Sequence, residues 1–272
     1  MAVLLIRLAA PMQSWGAGSR YTRRETESAP TKSGVIGMVA AALGIPRWGS
    51  LERFRGLRFG VRIDQPGTLL SDYHTAKNDR GEMLPLSRRY YLQDAVFLVG
   101  LESEDTRELD AYRRALTRPY YPLFLGRRSC PPDGPLRTWL LDQSLEDALR
   151  DIPWQAEEWY QRRALRGEAT FPERCFATVL IEPSNNADGV DDARESGGFV
   201  DELADEPVSF DPRRRRWESR RIARLADDIR PAPTVSVPAG QSERQRETAQ
   251  PSVFDGDAIF TAVASTSQGE RS

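Results

Sequence analysis

The stretch Pro30 to Ile45, PTKSGVIGMVAAALGI, constrains the chain more than any other. Val35, Ile36, Met38, Val39, Ala42 and Leu43 fall at i, i+1, i+3, i+4, i+7 and i+8, the spacing of one apolar stripe on an amphipathic helix. Its start is marked: Pro30 disfavours helix at Ala29, and Thr31 or Ser33 can cap free N–H groups. Gly44 and Pro46 end it. The first turn therefore presents open N–H groups with Lys32 beside them, an arrangement that favours a phosphate or another anion.

The segment leading into that helix, PMQSWGAGSRYTRRETESAP, is too polar for a core and carries Arg20, Arg23 and Arg24 with Trp15. Two readings stand side by side. Cations, an aromatic ring and open N–H groups in one neighbourhood make a polyanion site; alternatively the helix is simply capped and preceded by a solvated loop.

The 272 residues, 39% of them hydrophobic, suffice for one large domain or two small ones. The net charge of −2 argues against a generally basic nucleic-acid coat, but the charge is unevenly spread. Residues 1–60 hold nine Lys/Arg against three Asp/Glu, 186–210 hold eight Asp/Glu against one Arg, and 213–230 hold eight Arg against three Asp/Glu. A near-neutral total can thus hide a basic face. Cys130 and Cys175 lie far apart and in no metal-ligand spacing, so buried free thiols are expected. The opening MAVLLIRLAAP lacks a basic n-region and reads as a strand, and no run approaches the ~20 apolar residues of a membrane span. A soluble cytoplasmic protein without a membrane partner is the expectation.

Val3 to Ala9 is nearly continuous in apolar residues, as in a strand buried on both faces. Leu57 to Ile63 alternates Leu57, Phe59, Val61 and Ile63 with Arg58, Gly60 and Arg62, a strand with one core face and one arginine-bearing open face. The next segment, 69–102, predicts a long hairpin with arms near 69–76 and 86–92, a turn at Lys77 to Gly81, and a core strand at 94–101. Its arms interleave Tyr73, His74, Arg88, Arg89, Tyr90 and Tyr91. Rings that stack on bases and arginines that meet phosphates fit single-stranded RNA; tyrosines that pack across strands are the plainer alternative. Glu104 to Thr117 forms a second helix and Arg174 to Glu182 a last strand. The fold class is α+β, a ferredoxin-like (RRM-like) βαββαβ core with the hairpin inserted.

Gly126, Arg127 and Arg128 put a tight backbone beside two cations, a seat for a phosphate. Residues 142–167 are helical but broken at Pro153. The acidic 184–206 stretch reads as a loop. The run Arg213 to Arg216, before a final strand, reads as a solvated turn, with a ligand contact as the alternative. From Pro231 the composition is that of a mobile tail.

Several chemistries are missing. Thr31 stands where a P-loop needs glycine before Lys-Ser, and there is no GxGxxG, HExxH or CxxC. His74 is the only histidine, which excludes a histidine pair for RNA cleavage. Tyr73, His74, Lys77 and Tyr90 could carry acid–base work, although His74 reads better as a packing or hydrogen-bonding residue. No catalytic residue, metal ligand or cofactor is expected.

Taken in order, LAAPMQSWG, PTKSGVIGMVAAALGI, LRFGVRIDQPG, DYHTA, SRRYYLQDAVFLVGLE and LFLGRRSCPP resemble the CasD family of type I-E CRISPR Cascade subunits, within the RAMP superfamily. The resemblance covers roughly 1–225. It implies a ferredoxin-like core in one domain over 1–230, a thumb hairpin at about 69–94, and a tail at 231–272 with no counterpart. It further implies a non-catalytic subunit of an antiviral ribonucleoprotein that engages target DNA. Such a subunit holds the 5′ handle of the crRNA, caps the backbone filament, and contacts the CasC backbone subunit and the CasA large subunit. A relative in type I-C systems cleaves repeat RNA, which keeps a metal-independent endoribonuclease as the alternative. Carried onto this chain, the RNA contacts are Gln13, Ser14, Trp15, Arg20, Arg23, Arg24, Lys32 and Ser33, then Tyr73, His74, Arg88 and Arg89 on the hairpin, then Arg127 and Arg128.

Overall fold

The computed structural model describes residues 1–16, 23–168, 170, 172–183, 200–225 and 229–236. Apolar residues at nearly every position of β1 (Ala2–Ala9) bury it on both faces. Two short strands follow, β2 (Met12–Gln13) and β3 (Arg23–Arg24), and then α1 (Lys32–Ala42). Thr31 caps α1, its Oγ1 accepting from the Gly34 N–H, and Gly44 follows the helix at φ +74°, a left-handed conformation that glycine adopts without strain. Next come β4 (Arg58–Gln65), the exposed arm β5 (Thr68–His74), its return β6 (Ser87–Gln93), β7 (Val96–Ser103) and α2 (Thr106–Thr117). Asp105 caps α2 through the Arg107 and Glu108 N–H groups. The chain continues through β8 (Thr138–Leu141), α3 (Leu145–Asp151), α4 (Glu158–Arg166), β9 (Thr178–Ile181), β10 (Val200–Ser209) and β11 (Arg216–Arg224).

The result is a mixed α/β molecule with mostly antiparallel sheets. The larger sheet has the order β10-β11-β9-β4-β7-β1-β8. In the smaller one β6 pairs with β5 along one edge and with β2 and β3 along the other. Leu4, Ile6 and Leu8 share a core with Val35, Ile36 and Val39 of α1 and Leu109, Tyr112 and Leu116 of α2. The alternate residues Val3 and Leu5 join Leu98 and the α3 side chains Leu145, Ala148 and Leu149 in a second core. Each fully buried aliphatic side chain is worth about 1.5–3 kcal/mol, so both faces of the sheet contribute. Both cysteines are buried and free. Among the described residues no helix is long and apolar enough to cross a membrane.

Three expectations change. The strand that flanks β1 on the side away from β7 is β8, a short piece not foreseen, while the strand near 174–182 sits on the far side of β4. Within the acidic stretch, 200–209 is strand rather than loop, with Asp205 paired to Arg220 and Glu206 to Lys32. The arginines of β4 do not form an open face, because α3 covers them. Arg62 is fully buried, bonded to Asp64 and to the carbonyls of Leu149, Ile152 and Pro153 at the end of α3. Arg58 pairs with Glu102 and Glu146. Room for α3 comes from two glycines that face each other across β4 and β7. A β-carbon on Gly100 would lie 2.3 Å from a Leu145 methyl, and one on Gly60 3.0 Å from a Leu149 methyl. Of the tail expected from Pro231, residues 231–236 are held against the fold, the Ala232 carbonyl accepting from the Trp154 N–H and the Thr234 N–H donating to Gln161, and 237–272 lie outside the described residues.

Candidate nucleic-acid interface

Strand alternation sorts the hairpin arms into two faces. Leu70, Asp72 and His74 stand opposite Tyr91, Arg89 and Ser87 on one face; Ser71 and Tyr73 stand opposite Tyr90 and Arg88 on the other. On that second face the Arg88 guanidinium lies 5.4 Å from the Tyr73 ring centre and 5.1 Å from that of Tyr90. Tyr73 is 55% exposed. A cation within reach of two rings on an exposed arm can meet a phosphate, with the exposed Tyr73 ring open to a base. On the first face His74 Nε2 lies 2.7 Å from Asp72 Oδ2. Asp72 was missed by sequence reasoning, although its i, i+2 spacing from His74 places both on one strand face. Arg89 stands opposite Asp72, and its Nε is buried with no hydrogen-bond partner among the described residues.

The inner edge of β6 carries β3 in parallel, with Arg23 beside Arg88 and Arg24 beside Arg89 in register. Arg24 is exposed. Four arginine positions on two neighbouring strands thus fall together, far apart in sequence. Arg20 lies outside the described residues. At its base the segment is closed by a bridge from Trp15 to Glu27 and by the Thr26 hydroxyl, which accepts from the Trp15 N–H.

The Gln13, Ser14 and Trp15 side chains are buried, and this corrects their expected role as RNA contacts. Gln13 donates to the Ala95 and Leu8 carbonyls and accepts from the Trp15 indole N–H. Ser14 donates to the Tyr90 carbonyl. The Trp15 ring fills the place a side chain on Gly34 would need. Buried polar groups are satisfied within the fold, and here that satisfaction fixes β6 against α1. Gly126 is likewise no phosphate seat: the Ser14 carbonyl oxygen occupies the position of its β-carbon, 1.7 Å away.

Arg127 clamps three segments. Its guanidinium donates to the carbonyls of Tyr90 (3.1 Å), Arg24 (3.0 Å) and Glu25 (3.3 Å) and lies 4.8 Å from the Tyr91 ring centre. Arg128, next to it, is exposed.

Lys32 and Ser33 also depart from expectation. The anion at the start of α1 is the chain's own: the Asp205 carboxylate accepts from the Lys32 N–H at 2.7 Å. The Lys32 ammonium is buried between Glu182 (3.1 Å) and Glu206 (2.7 Å). Arg220 closes the cluster, binding Asp205 through two bonds and Glu182 at 3.3 Å. Burial pushes the Glu182 carboxyl above its usual range, against the pull of Lys32 and Arg220. Ser33 is buried in the same first turn. The cluster joins residues some 150 or more positions apart in sequence, so no local signal could reveal it.

Residues 3–223 match the model of the family described as CRISPR-associated protein (Cas_Cas5). The chain is 37% identical over 153 residues to the CRISPR system Cascade subunit CasD of Escherichia coli (strain K12), a match spanning 49% of this chain and 68% of that one. It superposes on a chain of a solved CRISPR RNA-guided surveillance complex with a TM-score of 0.64 at 29% identity, covering 90% of this chain and 97% of the other. A crystal structure described as that of a Cas protein aligns with a TM-score of 0.59 at 32% identity, covering 85% and 97%.

Proposed function

Because the chain belongs to the CRISPR-associated Cas5 family, as a Cascade subunit of the CasD type, we propose that it is the non-catalytic subunit that holds the 5′ handle of the crRNA and caps the backbone filament. The observation that carries this reading is the Tyr73–Arg88–Tyr90 stack on an exposed hairpin arm, with Arg24 on the strand next to it. Phosphates would meet Arg88, Arg89, Arg24 and Arg128, with Arg20 and Arg23 in the adjoining segment, while Tyr73 reaches the bases from one face of the arm and His74 contacts the RNA from the other. Gln13, Ser14, Trp15 and Arg127 act behind them as positioning residues.

The order β8-β1-β7-β4, with α1 following β1 and α2 following β7, supports a ferredoxin-like core over 1–230. On it the β5–β6 hairpin, within about Leu69 to Asp94, serves as the thumb. The crRNA, the CasC backbone subunit and the CasA large subunit are the partners this reading assigns, in a cytoplasmic complex that engages target DNA.

One observation favours the second reading, a metal-independent endoribonuclease acting on repeat RNA: the His74–Asp72 pair, a base with an orienting carboxylate. One experiment separates the two. The chain is mixed with labelled repeat RNA in EDTA and run on native and denaturing gels. Intact RNA in a shifted band supports the handle-binding subunit. Site-specific cleavage lost in His74→Ala overturns it in favour of the endoribonuclease. If the isolated chain gives neither, the same test on the complex assembled with CasC and CasA decides.

A further inference from the structure

A second basic surface lies outside the hairpin face, at the turn between β10 and β11. Arg213, Arg214, Arg215 and Arg216 are consecutive and all exposed. Among the described residues, Arg213, Arg214 and Arg215 have no carboxylate partner; Arg216 reaches Glu218 only at 3.7 Å, with both side chains largely in solvent. The one acid of the turn, Asp211, is turned to the backbone. Its carboxylate accepts from the Arg213 N–H at 2.9 Å and its carbonyl from the Arg214 N–H at 3.0 Å. Among the described residues, the positive charge of four consecutive arginines is therefore left largely uncompensated.

The turn is also held in place. Phe210 packs toward α1, its ring 3.6 Å from where a β-carbon of Gly37 would be. Below it the arm is rooted by Arg220 on Asp205 and by Lys32 on Glu206. Between Phe210, packed toward α1, and the half-buried Trp217, residues 211–216 carry no aromatic side chain on which unpaired bases could stack. Four consecutive exposed cations suit a phosphodiester backbone, which in a duplex carries one negative charge for about every 1.7 Å of helix axis.

We infer that the Arg213–Arg216 turn binds the phosphodiester backbone of a nucleic acid without reading its bases, at a site separate from the hairpin face. The inference does not depend on handle recognition.

The test uses the full chain and two triple variants at 213, 214 and 215, one with every arginine changed to Gln and one with every arginine changed to Lys. Fluorescence anisotropy is followed across a salt series on two probes, a short mixed-sequence duplex DNA and a single-stranded RNA lacking the repeat handle. The Gln variant should bind about tenfold or more weakly, with the slope of log K against log salt flatter by roughly 2–3; the Lys variant should stay within about threefold. Because the replaced side chains are exposed, the unfolding midpoint should hold. Loss on the duplex alone assigns the backbone of DNA, loss on the RNA alone assigns that of RNA, and loss on both assigns phosphodiester chemistry at large. Equal binding by the chain and its Gln variant, or no binding of either probe by the chain, overturns the inference and leaves a solvated or protein-facing turn. Arg88→Ala, measured on handle RNA in parallel, reports on the hairpin face independently.

Discussion

Gly126 meets Ser14 so closely that a β-carbon on the glycine would sit 1.7 Å from the serine carbonyl oxygen, and the glycine holds φ +84°. This contact ties the loop that carries Arg127 and Arg128 to the segment behind β6. In Gly126→Ala the left-handed backbone alone costs about 1–3 kcal/mol, and the backbone collision adds to it. A lower urea midpoint and weaker handle-RNA binding are expected together. A variant as stable as the parent would show that the loop can move aside.

Arg88 and Tyr73 should fail differently. Arg88→Ala removes a phosphate contact, so the salt slope of handle binding should drop by about 1. Tyr73→Ala removes a stacking surface worth about 1–3 kcal/mol per base, and its slope should not change. Salt titration of both variants on the same RNA makes the comparison. Identical slopes in the two would contradict the division of labour.

Arg127 works through its neighbours. Lysine cannot span three carbonyls and lie on a ring at once, so Arg127→Lys should weaken RNA binding nearly as much as Arg127→Ala, although the charge is kept. Hydrogen exchange at residues 24–27 should quicken in both variants, since the carbonyls of Arg24 and Glu25 lose their donor. Full rescue by lysine would instead make Arg127 a direct phosphate ligand.

Arg58 and Glu146 give the fold an acid-sensitive joint between β4 and α3. Burial works to raise the Glu146 carboxyl, but the hydrogen bonds and charge of Arg58 prevail and hold it below its usual 4.5. A depressed carboxylate contributes stability above its unfolded value and loses it as pH falls through the folded one. Glu146→Gln should therefore lower the melting temperature at neutral pH and flatten its decline below about pH 4.5. Because a third of the Glu146 side chain is exposed, solvent screening keeps the effect modest.

What was legible in the sequence was local. The continuous apolar run of β1, the Thr31 cap and Gly44 stop of α1, and the two hairpin arms are each written within some fifteen residues. What was missed depends on residues distant in sequence. Arg62 reads as open because nothing near it announces α3, which docks only where Gly60 and Gly100 come into register. Lys32 reads as an anion ligand because its own anions arrive from residues 182, 205 and 206. The basic strand pair of β3 and β6 could be expected residue by residue, but its register could not.

The placement of β1 has a consequence for how the chain is made. Its partners are β7 and β8, so its second edge is covered only when Thr138–Leu141 arrives. At about 5–20 residues per second, a ribosome needs roughly 7–26 seconds to make the residues between the end of β1 and the end of β8. Through that interval the nascent chain carries a strand that is apolar on both sides and has an edge left to pair. It is the segment on which a chaperone would act first, and the one most prone to join two copies of the chain before either has folded.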